Sequence, residues 1–110
     1  MDDEFILFNA DALVPPFKIG YFNPHGWIAY LLDDILFYKT FDVQTDHIYP
    51  DNNCNVEIYG NDQFVELESL APLTILSPGE SVNHIEKWEI FDGIDTFPDE
   101  VKKLWRKVSL

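Results

Sequence analysis

Short apolar and aromatic runs, separated by turn-forming residues, dominate the pattern of this sequence. Runs of about four to eight such residues, bounded by Gly, Pro, Asn or Asp, are typical of β-strands. The clearest pair is Trp27–Leu32 and Ile35–Phe41, joined by Asp33 and Asp34, which we predict to form a β-hairpin. The pattern as a whole predicts an all-β fold, an antiparallel β-sandwich.

A second predicted hairpin consists of residues 54–59 and 64–70, and residues 42–53 before it read as a long polar loop. Near the end the period changes to that of a short amphipathic α-helix, preceded by a helix-start pattern at residues 96–99. We predict one domain over residues 1–110, with the sandwich at about 4–91 and the helix at about 98–108. The other predicted strands are residues 4–8, Phe17–Tyr21, 71–76 and 81–91.

Composition excludes several classes of protein. The formal net charge of -13 would suit a disordered tail, but 46% of the residues are hydrophobic and 15% aromatic, so we expect a folded core. With 7 Lys and Arg against 20 Asp and Glu, we expect neither nucleic acid nor an anionic membrane as a partner. The acidic balance itself serves either solubility or a negative cleft for a polyol or cation.

The single cysteine, Cys54, rules out an intrachain disulfide and suits a reducing compartment. The chain starts with acidic residues where a signal peptide is basic, and its first apolar stretch is too short to span a membrane. We therefore predict a cytoplasmic protein. No zinc or calcium motif is visible, so we expect no cofactor and no metal site, although the oxygen ligands described next would suit a hard cation.

Polar residues alternate with apolar ones along the second hairpin. Asn55 and Glu57 share one face of their strand, and Glu66 and Glu68 share one face of the next. Pairing across a loop at residues 60–63 would place Glu57 opposite Glu66 and Asn55 opposite Glu68. Because like charges facing each other destabilise a sheet, this cluster is either a solvated outer face, or neutralised, protonated or occupied by a ligand.

The same region resembles a poorly characterised aldose-epimerase-like family, of the galactose mutarotase-like supersandwich type. The resemblance covers about residues 4–91, in the order of the family's C-terminal part, and implies a sugar-binding β-sandwich. It is carried by Phe17-Lys18-Ile19-Gly20, Asn23-Pro24-His25-Gly26-Trp27, Leu36-Phe37-Tyr38-Lys39, Cys54-Asn55-Val56-Glu57, Glu66-Leu67-Glu68-Ser69-Leu70-Ala71-Pro72-Leu73 and Leu76-Ser77-Pro78-Gly79-Glu80-Ser81, running on to Trp88 and Phe91.

In the better-known galactose mutarotases, a Glu-x-Gln-x-x-Pro stretch supplies the base that takes the anomeric proton. The resemblance implies Glu68 for that position, although Leu70 stands where the Gln would be and Pro72 falls one residue early. Those enzymes also use a histidine acid, from an earlier part of the family's chain that this sequence lacks. His25 is the candidate here, against an ordinary surface histidine.

Three further residues are candidate ligand contacts. Lys18 and Lys39 are predicted to lie in strands, where they would neutralise the glutamates or hydrogen-bond a sugar hydroxyl. Trp27 is either a core residue or a flat platform for a sugar ring. With these, the candidate ligand-binding set is Lys18, Trp27, Lys39, Asn55, Glu57 and Glu66.

Three functions remain open at this stage. The first is a catalytically incomplete carbohydrate-binding module, the second an aldose 1-epimerase-like enzyme with Glu68 as base, and the third an interaction module without a ligand. Because the resemblance implies that part of the usual fold is absent, we also expect a homo-oligomer that completes the sandwich between chains. A sugar or polyol is the expected ligand.

Overall fold

The structure is a computed structural model and describes residues 16–94. Within that range the chain is all-β apart from one short helix, which confirms the predicted fold class. The predicted strand at residues 4–8 and the predicted helix at about 98–108 lie outside the described residues. The elements are β1 (Phe17–Tyr21), β2 (Trp27–Leu32), β3 (Ile35–Phe41), α1 (Pro50–Asn53), β4 (Val56–Gly60), β5 (Val65–Ser69) and β6 (Glu86–Phe91).

Two antiparallel sheets of three strands each form a sandwich-like arrangement. One sheet has the strand order β1-β4-β5 and the other the order β2-β3-β6. Four apolar side chains from both sheets are buried together, as expected for inner faces whose residues alternate with outward ones. These four are Ile28, Phe41, Val56 and Ile58.

A second apolar cluster lies on the opposite face of the β2-β3-β6 sheet. Leu36 and Tyr38 are its buried members, and the ring of Trp27 stacks on Tyr38 with centroids 5.6 Å apart. The Tyr38 hydroxyl has no hydrogen-bond partner among the described residues. Burial, with a smaller contribution from Glu89, raises the pKa of Tyr38 to about 12.

The predicted strands Phe17–Tyr21, Trp27–Leu32 and Ile35–Phe41 have the bounds seen in the structure. The prediction of a strand at residues 71–76 is wrong, and the last strand begins at Glu86, not at residue 81. Pro72 and Pro78 lack an N–H to donate, and Gly79 has a φ of +89° that belongs to a turn. Apolar character alone therefore did not make residues 71–85 a strand.

The predicted register of the second hairpin is also wrong, by two residues. Gly60 pairs with Val65, so that Glu57 lies opposite Glu68 and not opposite Glu66. The cause is Asn61, whose Oδ1 accepts the backbone N–H groups of Gln63 and Phe64 at 2.8 and 2.9 Å and thereby fixes a later turn. Because side chains alternate with a period of two, the shift leaves the predicted faces unchanged.

The loop before β4 ends in the unusual turn α1. Asp51, Asn52 and Asn53 have φ values of 53°, 63° and 67°, all in the left-handed region. Aspartate and asparagine tolerate this region better than other residues with a side chain. Asn53 supports the turn by accepting the backbone N–H of Tyr49 at 2.9 Å, and Cys54 N–H donates to the Pro50 carbonyl at 2.8 Å. The turn positions Asp51 close to β4.

Candidate functional site

Three of the predicted site residues meet on one face of the β1-β4-β5 sheet. Lys18 Nζ on β1 lies 3.5 Å from Glu68 Oε2 on β5 and 3.9 Å from Glu57 Oε1 on β4, the strand between them. The pairing of Glu57 with Glu68 puts the two carboxylates side by side, and Lys18 reaches both diagonally. The lysine therefore offsets the repulsion that the sequence predicted for this face.

Glu57 is the least solvated of these carboxylates, with 11% of its side chain exposed. Burial raises the pKa of Glu57, and a hydrogen bond and the negative charge of Asp51 raise it further, while Lys18 lowers it. A raised pKa means that protonated Glu57 is favoured more than it would be in water. An ionised Glu57 only accepts hydrogen bonds, whereas a protonated one also donates one.

Lys18 is half-exposed, and the charges of Glu68 and Glu57 raise the pKa of its ammonium group. An ammonium group held more tightly in its charged form is a poor proton donor at neutral pH. Its chemical use is that of a fixed cation with three hydrogen-bond donors, directed toward oxygen atoms.

Tyr59 and Glu66 complete what we call the polar face, defined as Lys18, Glu57, Tyr59, Glu66 and Glu68. Tyr59 pairs with Lys18 on one side and Glu66 on the other, so the three lie in one row across the sheet. The ring of Tyr59 packs against exposed Phe64, with centroids 5.9 Å apart. An aromatic surface thus adjoins the charged groups.

Gly20 on β1 pairs with Glu57, and it has no side chain to extend over this face. A Cβ atom added at Gly20 would lie 2.9 Å from Cys54 Sγ and 3.4 Å from Glu57 Cγ. Burial raises the pKa of the Cys54 thiol, with smaller contributions from Glu57 and Asp51. The thiol lies beside Gly20 on this face.

Asn55 has a structural position in the core. Its Oδ1 accepts the Asn23 backbone N–H at 2.6 Å, and its Nδ2 donates to the Asn23 carbonyl at 2.7 Å. The residue is fully buried, and its amide pairs with the turn backbone as a neighbouring strand would. Asn55 thus holds the turn before β2 against β4 and does not join the polar face.

Lys39 belongs to a different cluster from the one that the sequence suggested. It is only 4% exposed, and its Nζ donates to Glu86 Oε2 at 2.9 Å and to the Leu67 carbonyl at 2.6 Å. Lys39 and Glu86 lie in the β2-β3-β6 sheet, whereas Leu67 lies in β5. Lys39 therefore ties the two sheets together and does not neutralise the polar face.

The Glu86 carboxylate of this ion pair also accepts two further hydrogen bonds. Ser69 Oγ donates to Glu86 Oε2, and Trp88 Nε1 donates to Oε1 at 3.2 Å. Burial acts to raise the pKa of Glu86, but these hydrogen bonds and Lys39 together hold it below its usual value. His84 Nε2 lies 2.8 Å from Ser69 Oγ, at the edge of the cluster.

Trp27 and His25 lie away from these clusters along the chain. Trp27 packs on Tyr38 in the second apolar cluster, the core position that was one of its two predicted readings. His25 is exposed in the turn, and its backbone N–H donates to Asn23 Oδ1 at 2.9 Å.

A shallow cleft of about 190 Å³ lies between the loop after β3 and the segment before β6. Its lining is mixed, and it includes His47, Thr74 and His84. Across residues 16–94, no three His, Cys, Asp or Glu side chains are grouped to hold a metal ion. In that same range no helix is long and apolar enough to cross a membrane.

Sequence reasoning missed Tyr59 on the polar face, together with Asp51 and Glu86. Asp51 reaches Glu57 only because the left-handed turn brings it there, and no alternation pattern signals such a contact. Glu86 stands on the same strand face as Trp88, in a run that reads as ordinary strand. A buried lysine needs a carboxylate partner. The predicted strand position of Lys39 was therefore the one signal that a carboxylate such as Glu86 lies nearby.

The fold and this geometry define an all-β protein, sandwich-like in arrangement, with a polar face on one of its two sheets. No family model, no curated protein and no solved structure matches the chain.

Proposed function

We propose that the protein is a non-catalytic carbohydrate-binding module, which binds a sugar or polyol on the polar face of the β1-β4-β5 sheet. The observation that carries the proposal is the position of Lys18, within 4 Å of both Glu57 and Glu68. This places donors and acceptors next to each other on a rigid sheet. Vicinal hydroxyl groups, each a donor and an acceptor, match that alternation.

The aromatic part of the polar face supports a sugar rather than a small ion. A pyranose ring has apolar C–H groups on its faces, and Tyr59 with Phe64 offers them an aromatic surface. Lys18 and Glu66 flank Tyr59 in the sheet register, within reach of hydroxyls at the ring's edge. The resemblance to aldose-epimerase-like proteins points to the same ligand class.

Binding is favoured over an epimerase for a chemical reason. Mutarotation needs a base at the anomeric hydroxyl and an acid at the ring oxygen. Lys18 is the charged donor at Glu68, and the two carboxylates raise its pKa, which makes it a weak acid. The alternative enzyme would thus need another proton donor, and the raised pKa of Glu57, which pairs with Glu68, makes that carboxyl the candidate. The single Cys54 supports a cytoplasmic location for the module.

Isothermal titration calorimetry with glucose, galactose, mannose and sorbitol tests the proposal. The wild-type chain is expected to bind at least one of them saturably, and Glu68→Gln to weaken that binding at least about tenfold, because a hydrogen bond to a charged group is lost. Asp62→Asn is the matched control, since it removes an exposed carboxylate from the same hairpin outside the polar face. Its affinity should equal that of the wild type.

Two results would contradict the proposal. One is the lack of saturable heat with every sugar at millimolar concentrations. The other is equal weakening by Glu68→Gln and Asp62→Asn, which would indicate a general effect of charge. Polarimetry tests the alternative function, an epimerase. Faster exchange of sugar anomers with the wild-type chain, abolished in Glu68→Gln, would favour the epimerase instead.

A further inference from the structure

Strand β6 lies at the edge of its sheet. In the part of the chain from 16 to 94 it pairs with β3 on one side, and no strand pairs with its other side. It spans six residues, with neither Pro nor Gly to interrupt a row of backbone donors and acceptors. Edges of this kind readily pair with a further strand unless something blocks them.

Part of the face that β6 shares with its neighbours is apolar and exposed, beside the Lys39–Glu86 ion pair on the same face. We call it the apolar strip, and it includes Trp88 and Ile90, which are 65% and 72% exposed. The register places Ile90 beside Phe37, and Phe37 packs edge-on against Trp88 with centroids 5.5 Å apart. The apolar strip consists of Leu32, Ile35, Phe37, Trp88 and Ile90.

The charges on the other face of β6 favour one register for a symmetric pair of β6 strands. Lys87 and Glu89 are two residues apart and share a face, with Nζ and Oε1 3.7 Å apart. An antiparallel copy of β6 centred on Trp88 would place Lys87 opposite the partner's Glu89, and the two-fold axis would repeat that pair. Centring on Lys87 instead would oppose two lysines, and centring on Glu89 would oppose two glutamates.

We propose that two copies of this chain associate through the outer edges of β6, antiparallel and centred on Trp88, to form one continuous six-stranded sheet. The two-fold axis brings the two Trp88 side chains together, so that the two apolar strips meet at this pair, and it places Glu86 opposite the partner's Ile90. A central tryptophan with flanking apolar residues is typical of residues that dominate binding energy. The proposal is independent of sugar binding on the other sheet.

Of the other edge strands, β5 shows how charge disfavours the same kind of pairing. Strand β5 carries Glu66 and Glu68 on one face, with Leu67 between them. An antiparallel copy centred on any of these three residues places glutamate opposite glutamate. Self-association through β5 is therefore disfavoured by charge, whereas β6 has one register in which both charges are matched.

The most direct test of this dimer reverses the charges at Lys87 and Glu89. Sedimentation equilibrium of the full chain is expected to give a dimer of twice 12.8 kDa. Lys87→Glu and Glu89→Lys should each raise the dissociation constant at least about tenfold, since each creates two like-charge pairs. An equimolar mixture of the two variants should form a heterodimer, because every opposed pair is then one Lys and one Glu. The double variant should restore the homodimer.

A matched apolar pair controls for general effects of added charge. Ile90→Glu places a charge in the apolar strip and should abolish the dimer, whereas Ile75→Glu, at a fully exposed position outside it, should not. Circular dichroism checks that all variants are folded. A monomeric wild type at millimolar concentration would overturn the proposal. So would a dimer that the two single charge variants leave unchanged, or variants that fail to associate when mixed.

Discussion

Glu57 shows how one buried carboxyl group links the site to stability. Its pKa is raised above the ordinary 4.5, so the folded state holds its proton more tightly than the unfolded chain does. The stabilisation from this group is therefore complete below pH 4.5 and is lost as pH rises through the folded pKa. Glu86, whose pKa is lowered, behaves in the opposite way, and its contribution is lost only as pH falls below 4.5.

The first prediction concerns Glu57→Gln. The amide stays neutral at every pH, so the free energy of unfolding of the variant relative to the wild type should be higher at pH 7.5 than at pH 4. Urea unfolding at both pH values and one protein concentration measures this difference. The same relative stability at the two pH values would show that Glu57 has no raised pKa.

The second residue-scale prediction concerns the ion pair between the sheets. Lys39→Met leaves the Glu86 carboxylate without its buried cation, and should lower the free energy of unfolding by about 3 kcal/mol. Lys18→Met is the matched control at a half-exposed ion pair, with an expected loss below about 1 kcal/mol. Equal losses in the two variants would contradict the structural role given to Lys39.

The same residues show what the sequence does and does not reveal about a site. Alternation, together with the predicted hairpin pairing, placed Glu57, Glu66 and Glu68 on one face, because a strand has a period of two. It did not separate Lys18 from Lys39, which depends on how the two sheets pack. Nor did it reveal that both polar atoms of Asn55 are used by a backbone segment 32 residues away. Contacts between distant segments leave no local pattern.

Among the elements, the turn before β2 depends most on a single residue. Gly26 has a φ of +75°, and a Cβ atom there would lie 2.4 Å from the Phe41 carbonyl oxygen. The Gly26 carbonyl also accepts the Phe41 N–H at 3.0 Å, so the backbone has no freedom to move away. The glycine is needed both for its dihedral angles and for the close approach of β3.

A pair of glycine substitutions separates these two causes. Gly26→Ala should lower the free energy of unfolding by about 3 kcal/mol, from backbone strain and steric overlap together. Gly79→Ala is the control, because Gly79 also has a positive φ, of +89°, but no atom lies within 4 Å of an added Cβ. Its loss should be about 1 kcal/mol, from strain alone. Equal losses, measured by thermal unfolding, would remove the case for a steric requirement at Gly26.

Strand positions could be predicted where the turn-forming residues and the pattern of apolar residues indicated the same bounds. The hairpin of β2 and β3 has both signals, and its bounds follow from the sequence. The turn between β4 and β5 was misjudged because Asn61 bonds to the backbone two and three residues ahead, which moved the turn along the chain. Residues 71–85 are apolar in part but contain two prolines, and the missing donors outweighed the apolar pattern.

On the scale of the whole molecule, the two sheets have different surfaces. The β1-β4-β5 sheet exposes the polar face, and the β2-β3-β6 sheet exposes the apolar strip. Sugar binding is proposed for the first and self-association for the second. Because the surfaces belong to different sheets, each proposal can fail while the other holds.

The most direct test of the central proposal is a two-dimensional ¹H–¹⁵N NMR titration of the wild-type chain with the sugar that calorimetry selects. The proposal predicts saturable shift changes grouped on β1, β4 and β5, around Lys18, Glu57, Tyr59 and Glu68. Changes grouped instead at the cleft beside His47 and His84, or no saturable change at all, would contradict it.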